Sequence, residues 1–446
     1  MSNPGEGAPR ADGAAGFIEL FDRSAIYRFS MAFAAFVFVA DITNVVGISP
    51  YSVAIKYIYT LAVGILLYHY FSRFASISIA SAGPLLALTF FVVTGIGYAV
   101  NLMRGIEVSY LTAFTAPLVF AAAAFIPAGK FAVDGARVCR DLLMLLLLGS
   151  VCYLVEASLK RFGVPVSYAP EIEHVKSIVC VMGLSMAVLM RSRRWVLVFL
   201  AIIAASLVVR PSSTLLVAAA LCAPLALALR NGLRRTFITV SWGALVLAAA
   251  TPWLFYWFFD SIAEIATSGE AYLKEGLLEG HSNTDFRLEV FRLALRSLDD
   301  SLLFGQGLSG NPNVDLGAAW SWWREIIPDG MALIHSDWLV VVSQAGFVGA
   351  VLFFLMFASI LKIRLRALAA LPAGEANEIS SLLSLSIVGC VAFFLYSSFN
   401  PVLPLYHIAH GFWFILLVSE IAAKGVVSAA RERAYAAGPV PTPQPA

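Results

Sequence analysis

Apolar runs of about 20 residues recur along this chain of 446 residues, and a helix of that length crosses the hydrocarbon core of a bilayer. Hydrophobic residues make up 60% of the chain, and charged residues make up only 13%. A water-soluble fold of this size does not bury so much apolar surface. The sequence therefore predicts an all-α polytopic membrane protein.

Twelve membrane-spanning helices are predicted from the positions of the apolar runs. They cover residues 28–47, 52–71, 83–102, 109–127, 141–159, 176–190, 195–209, 211–229, 237–258, 333–360, 380–398 and 402–423. The chain thus divides into a tail (1–27), nine spans (28–258), a long loop (259–332), three spans (333–423) and a second tail (424–446). The long loop has helical periodicity and many aromatic residues, so we expect it to be partly helical and functional.

The distribution of Lys and Arg predicts the orientation of the chain. Basic clusters, such as Lys362, Arg364 and Arg366, all fall on one side of the membrane if twelve spans are counted. The positive-inside rule places that side, and with it both termini, in the cytoplasm. The loop at residues 259–332 is then expected on the outer, periplasmic face, where we also expect the functional site.

Charge and cysteine content exclude several partners and site types. The formal net charge is +2 and the basic residues form short clusters between apolar runs, so no nucleic-acid partner is expected. Four of the five cysteines lie in predicted spans, and Cys139 lies in a predicted basic loop. Disulfides and thiolate metal sites are therefore not expected. The N-terminal segment MSNPGEGAPRADGAAG lacks the apolar core of a cleavable signal sequence.

Arg287 is the first candidate functional residue. The segment TDFRLEVFRLALRSLDD has the periodicity of an amphipathic helix, with Glu289 and Arg292 on the charged face. Arg287 projects from the centre of the apolar face, where a cation is costly without an anionic partner. One interpretation is a structural arginine that reaches water or pairs with a nearby carboxylate. The other is that Arg287 binds a diphosphate, because a guanidinium matches phosphate oxygens bidentately and stays charged when desolvated.

Arg210 is the second candidate, and it lies in a very short turn between two apolar spans, SLVVRPSSTLLV. Pro211 suits the first turn of the following helix, and Ser212 and Ser213 suit its N-terminal cap. An arginine beside a helix N-terminus at the outer interface would form an anion-binding corner. The alternative is an ordinary turn residue in contact with lipid headgroups.

His335 is the third candidate, because it opens the strongly apolar segment HSDWLVVVSQAGFVGAVLF. An ionisable residue at the mouth of a membrane span is a functional-site hypothesis by default. A neutral imidazole there would accept the proton of a sugar hydroxyl. The alternative is a hydrogen-bonded interfacial histidine. Asp337, two residues further on, is expected to face away from His335.

Other aromatic and histidine residues support weaker hypotheses. Trp322 and Trp323 either stack on sugar rings or belong to the interfacial aromatic belt, which is the commoner role. His407 and His410 lie three residues apart in the last predicted span. No carboxylate or cysteine completes a recognised metal-ligand spacing with them. We therefore predict no metal site.

Three motifs together resemble the C-terminal signature of the O-antigen ligase and Wzy-type polysaccharide polymerase family. The segment DFRLEVF resembles the loop-helix motif and carries Arg287, and FGQGL resembles the Gly-x-Gly turn with Gly305 and Gly307. The segment HSDWLVVV resembles the last motif and carries His335. The turn RPSSTLL departs from the family, because Arg210 precedes the serines that normally come first.

The resemblance implies a function as well as a fold. It implies a GT-C-like architecture in the bacterial inner membrane and a glycan donor linked through diphosphate to undecaprenyl lipid. Arg287 and Arg210 would stabilise the departing diphosphate, and His335 would take the acceptor's proton. The substrate would also contact residues Gly305, Gly307, Ser212, Ser213, Trp322 and Trp323. No cofactor or metal is required, because the sugar–phosphate bond already holds the energy.

Three function classes stay open at this point. A polymerase of exopolysaccharide or O-antigen repeats, working with a flippase and a chain-length regulator, is preferred because the sequence shows no signal for recognising core sugars. An O-antigen ligase, which transfers glycan to lipid A–core, is second. A membrane transporter is third, because the sequence shows no internal repeat and few acidic residues at mid-membrane.

Overall fold

The computed structural model describes residues 19–42, 53–74, 82–103, 111–163, 173–274, 283–296, 302–303, 305, 313–315, 331–334, 336–371, 378–399, 402 and 406–436. The helices, numbered in chain order, are α1 (Ala25–Ile42), α2 (Val53–Phe74), α3 (Ala82–Met103), α4 (Leu111–Ala121), α5 (Gly135–Arg161), α6 (Glu173–Lys176), α7 (Ile178–Leu189), α8 (Arg193–Val209), α9 (Ser213–Arg230), α10 (Arg234–Lys274), α11 (Asn283–Arg296), α12 (Asp337–Ala370), α13 (Glu378–Phe399) and α14 (Tyr406–Ala436). The strands are β1 (Glu19–Leu20), β2 (Phe131–Ala132), β3 (Asn313–Asp315) and β4 (Met331–Leu333), and 3-10 turns cover Phe21–Arg23 and Ala122–Phe125.

Six helices in the described part of the chain are long and apolar enough to cross a membrane, so the protein is a helical membrane protein. They lie in α5, α9, the first part of α10, α12, α13 and α14. The other predicted spans overlap the helices α1 to α4, α7 and α8. The count of twelve crossings and the outer position of the long loop stay predictions.

The last three helices form the centre of the bundle. In the most apolar windows of α12, α13 and α14, other parts of the chain bury 67%, 78% and 72% of the residues. The corresponding share is 28% for both α9 and the first part of α10. Peripheral helices therefore expose residues such as Leu221 and Leu247, which carries no penalty where the surroundings are lipid tails.

The predicted long loop is largely helical where the structure describes it. The backbone of α10 departs from helical angles at Phe258 and then continues as helix to Lys274. Next comes α11, which packs against α10, α12 and β3. Strands β3 and β4 pair antiparallel, with Asn313 opposite Leu333. The loop is therefore attached to the helices that precede and follow it.

Helix α12 consists of two helical segments joined at Gly346, which has φ 61° and ψ −160°. Only glycine adopts these angles at low cost. The turn that follows α11 fits against this break. The N–H groups of Phe347 and Val348 donate to the carbonyl oxygens of Leu302 and Leu303 at 3.0 and 3.1 Å. A helix start leaves such N–H groups unpaired, so the turn caps the second segment of α12.

Arg364 lies inside the bundle, whereas the sequence analysis grouped it with Lys362 and Arg366 in one basic cluster. Its guanidinium Nη1 lies 2.8 Å from Oε2 of Glu420 on α14, and both side chains are completely buried. Lys362 and Arg366 on the same helix are exposed. A step of two residues turns the side chain about 200° around a helix, so Arg364 faces the opposite way from its basic neighbours.

Cys139 lies in a helix and not in a loop as predicted. Helix α5 begins at Gly135, because the side chain of Asp134 accepts a hydrogen bond from the N–H of Arg137 at 3.1 Å. Cys139 is therefore in the second turn of α5 and is buried. All five cysteines are free and buried.

Candidate functional site

Arg287 lies on the face of α11 that packs against the rest of the protein. Val290, Phe291 and Ala294, which share this face, are buried. The Nε of Arg287 is also buried and has no hydrogen-bond partner among the described residues. Burial lowers the pKa of the Arg287 guanidinium, but arginine remains charged in proteins. The described structure therefore contains an unpaired cation on this apolar face.

A neighbouring carboxylate on α11 is bound to a different arginine. Glu289 accepts a hydrogen bond from Nε of Arg292 at 2.9 Å. This hydrogen bond raises the pKa of Arg292, whereas burial lowers the pKa of Arg287. The interpretation of Arg287 as the partner of a nearby carboxylate thus finds no support among the described residues.

An apolar groove of about 820 Å³ lies between α9, α10 and α13. Thr251 and Ser398 are the only polar residues among those that line it. Phe255, also in the lining, contacts Phe291 of α11 edge-on, with ring centroids 5.1 Å apart. Phe291 lies one helical turn after Arg287. The groove therefore leads from the membrane-facing side of the bundle to the helix that carries the unpaired cation.

Gly305 lies in a sharp turn that is packed against the broken part of α12. Its φ is +65°, and a Cβ atom there would lie 2.6 Å from the carbonyl oxygen of Ser343 and from the carbonyl carbon of Gln344. Glycine is required both by the angle and by this close approach. The turn follows α11 and packs against the break in α12, so it positions the helix that carries Arg287 relative to the middle of α12. Gly307 lies outside the described residues.

The start of α12, which follows His335 directly, is held by two polar side chains. The hydroxyl of Ser336 accepts a hydrogen bond from the N–H of Leu339 at 3.3 Å and caps the helix. Both carboxylate oxygens of Asp337 accept from the N–H of Val402, at 2.9 and 3.0 Å. Asp337 thus ties α12 to the segment between α13 and α14, a role that the sequence analysis did not assign. His335 lies outside the described residues, whereas its neighbours Ile334 and Ser336 are buried.

Arg210 ends α8 and is half-buried, with extended backbone angles of φ −145° and ψ 98°. The hydroxyl of Ser212 accepts a hydrogen bond from the N–H of Leu215 at 3.2 Å, so Ser212 is the predicted cap of α9. Ser213 is the first residue of α9 and is exposed. The hydroxyl of Ser212, two residues after Arg210, is therefore occupied in capping α9.

A buried polar cluster near Arg210 was missed in the sequence analysis. The Nζ of Lys176 donates to both carboxylate oxygens of Glu156, at 3.0 and 2.8 Å, and the Nζ of Lys160 lies 3.8 Å from the same carboxylate. The guanidinium Nη1 of Arg161, five residues after Glu156, donates to the carbonyl oxygen of Val209 at 3.4 Å, so the end of α5 lies against the residue that precedes Arg210. The available signal was an acidic residue inside a predicted span, since such residues rarely occur without a partner.

Ser177, which follows Lys176, pairs with Tyr396 on the side of α13 that faces away from the apolar groove. Their hydroxyl oxygens lie 2.7 Å apart and both side chains are buried. Tyr396 and Ser398 lie two residues apart on α13, so their side chains point in nearly opposite directions around the helix, and only Ser398 lines the groove. This polar pair and the groove therefore lie on different faces of α13. Trp322 and Trp323 lie outside the described residues.

His410, in the last predicted span, has protein contacts at both ring nitrogens. His410 is buried, with Nδ1 3.0 Å from the Tyr59 hydroxyl and Nε2 3.3 Å from the Ser30 carbonyl oxygen. In the part of the chain that the structure describes, no three His, Cys, Asp or Glu side chains are grouped as metal ligands. His410 therefore joins α14 to α1 and α2.

No protein-family model matches this chain, and no curated protein sequence matches it.

Proposed function

We propose that this protein is a membrane glycosyltransferase that polymerises undecaprenyl-diphosphate-linked repeat units of an exopolysaccharide or O-antigen at the periplasmic face of the bacterial inner membrane. The observation that carries the proposal is the unpaired guanidinium of Arg287 beside an apolar groove. A lipid diphosphate combines a long apolar chain with a compact anion, so it complements both features. A soluble anionic substrate would leave the groove without a role.

In this proposal the groove between α9, α10 and α13 holds part of the polyprenyl chain, and Arg287 binds the diphosphate. Arg210 supplies a second cation from the turn between α8 and α9. Guanidinium–phosphate hydrogen bonds are charge-assisted and bidentate, and they strengthen where water is excluded. The buried Glu156–Lys176 pair joins α5 to α6.

The proposed reaction is a direct displacement at the anomeric carbon of the donor. The acceptor hydroxyl oxygen attacks this carbon, and a glycosidic C–O bond forms as the bond from the carbon to the phosphate oxygen breaks. The diphosphate leaves with the electron pair, and the acceptor's proton passes to the imidazole of His335. In-line attack inverts the anomeric centre. Preorganised cations stabilise the departing charge by several kcal/mol, and a general base contributes roughly 10²–10⁴ in rate.

A substitution on α11 tests the role of Arg287 with a control on the same helix. Arg287→Lys keeps the charge but removes the two parallel donors that match phosphate. We expect chain extension of a lipid-linked repeat by the purified protein to fall at least about tenfold, the effect of losing roughly 1.4 kcal/mol of transition-state stabilisation. Arg292→Lys, on the charged face beside Glu289, should retain activity. Equal activity of the two variants would reduce Arg287 to a structural residue.

The glycan of a deletion strain tests the reaction class. Accumulation of single repeats on the lipid carrier is the result expected for a polymerase. Long chains that lack attachment to lipid A–core would instead assign the protein as a ligase. Normal glycan in the deletion strain would refute both assignments.

A further inference from the structure

A second groove, of about 610 Å³, lies on the other side of α9, between the end of α7, the start of α8 and the end of α9. Apolar residues such as Val188, Val196 and Leu200 form most of its wall. Leu197, also in the wall, has 66% of its surface exposed, so the groove opens towards the surroundings of the bundle. The polar residues at its rim are Arg191, Ser192, Arg193 and Arg230, and no carboxylate lines it.

Arg191 has a backbone conformation that favours glycine. It is the only non-glycine residue with positive φ in the described part of the chain, at 57°. The turn closes through hydrogen bonds from Arg191 N–H to the Val188 carbonyl and from Ser192 N–H to the Ala187 carbonyl, both 3.1 Å. An arginine here is strained. Strain at one residue of a site supports a functional reason for its side chain.

The end of α9 contains the same turn with glycine at the equivalent position. Gly232, with φ +79°, donates to the Leu229 carbonyl at 3.0 Å, and Leu233 donates to the Ala228 carbonyl at 2.9 Å. The turn after α9 thus has glycine at the position of positive φ, and the turn after α7 has arginine there. The difference between them is a guanidinium at the rim of the groove.

The electrostatics of the rim favour a bound anion. Arg193 and Arg194 are the first two residues of α8, and its first turn contains no acidic residue. A helix N-terminus carries partial positive charge, so two cations there are unfavourable unless an anion is present. Nη1 of Arg230 donates to the Val188 carbonyl at 3.3 Å, which places this third guanidinium across the rim.

We propose that this groove binds an anionic phospholipid, with the phosphate at the arginine rim and an acyl chain along the apolar wall. Trp195 lies beside the rim with the Arg194 guanidinium 6.0 Å from its ring centroid, an arrangement typical of the membrane interface. Basic pockets between membrane helices recognise lipid phosphates in this way. A free phosphate would use the rim but not the apolar wall.

Lipid binding by the purified full-length protein tests this proposal. Phosphatidylglycerol and phosphatidylcholine with identical acyl chains are titrated in detergent, and bound lipid is counted by native mass spectrometry. We expect tighter binding of phosphatidylglycerol, and a loss of about fivefold in affinity for it on Arg193→Gln. Arg431→Gln, which removes an exposed arginine near the end of α14, should leave the affinity unchanged.

The variant Arg191→Gly separates binding from folding. Glycine relieves the positive φ, so the variant should melt no lower than wild type without lipid, while its affinity for phosphatidylglycerol falls. Equal affinity for the two lipids would overturn the proposal, as would equal losses for Arg193→Gln and Arg431→Gln. Displacement of the lipid by millimolar inorganic phosphate alone would show that the apolar wall contributes nothing and would also overturn it.

Discussion

Removal of the buried Arg364 guanidinium should destabilise the protein more than removal of the exposed Arg366 guanidinium on the same helix. All of the guanidinium nitrogens are hydrogen-bonded: Nε to Ser386 and Ser419, Nη1 to Glu420 and the Ile360 carbonyl, and Nη2 to Ser419 and the Leu416 carbonyl. These bonds join α12 to α13 and α14. The variant Arg364→Met removes them and leaves the Glu420 carboxylate buried without its cation.

The expected loss is about 3–5 kcal/mol, the cost of breaking a buried ion pair from one side. Most of that cost is the uncompensated charge of Glu420 and not the loss of attraction. The double variant Arg364→Met/Glu420→Met removes both charges and should therefore regain most of the stability. Arg366→Met changes an exposed arginine of the same helix and should shift stability by about 0.5 kcal/mol or less.

Thermal unfolding in detergent, followed with a thiol-reactive fluorophore, measures these effects. The five cysteines are free and buried, so the dye reports their exposure on unfolding. Arg364→Met should lower the melting temperature by at least about 5 °C relative to Arg366→Met. Equal melting of these two variants would refute the reasoning, and so would a double variant that melts no higher than Arg364→Met.

Three further predictions concern the break in α12, the proposed base and the orientation. Gly346→Ala should lower the stability by about 3 kcal/mol or more in the same assay, because a Cβ would lie 2.4 Å from the backbone nitrogen of Gly305 in a conformation that glycine alone tolerates. The control is Gly425→Ala, whose added Cβ meets nothing within 4 Å and should not lower stability. His335→Ala should nearly abolish glycan transfer at normal protein level, and wild-type activity should fall as the pH drops through the titration range of a histidine, because a protonated imidazole accepts no proton; turnover within a few-fold of wild type would exclude His335 as the base. An impermeant thiol reagent should label Ser282→Cys from outside the cytoplasmic membrane and Ala437→Cys only after membrane disruption, and the reverse pattern would overturn the orientation.

Local periodicity accounts for what the sequence analysis predicted correctly. Each predicted span overlaps a helix because a long apolar run satisfies its backbone hydrogen bonds within itself, wherever its neighbours lie. The amphipathic helix with Arg287 on its apolar face follows from the same local rule. The turn at Gly305 was predicted because a glycine pair interrupts an otherwise regular pattern.

The sequence by itself determined where the apolar helices lie in the chain and that a cation lies on the apolar face of α11. Only the tertiary structure decided that α12 is broken at Gly346, that Arg364 rather than its basic neighbours enters the core, and that Lys176 neutralises Glu156. It also decided where the two grooves lie on either side of Pro224, which lines both. The reason is physical: periodicity shows which face of a helix is apolar, but the partner of a buried charge and the space between helices depend on residues far apart in the chain.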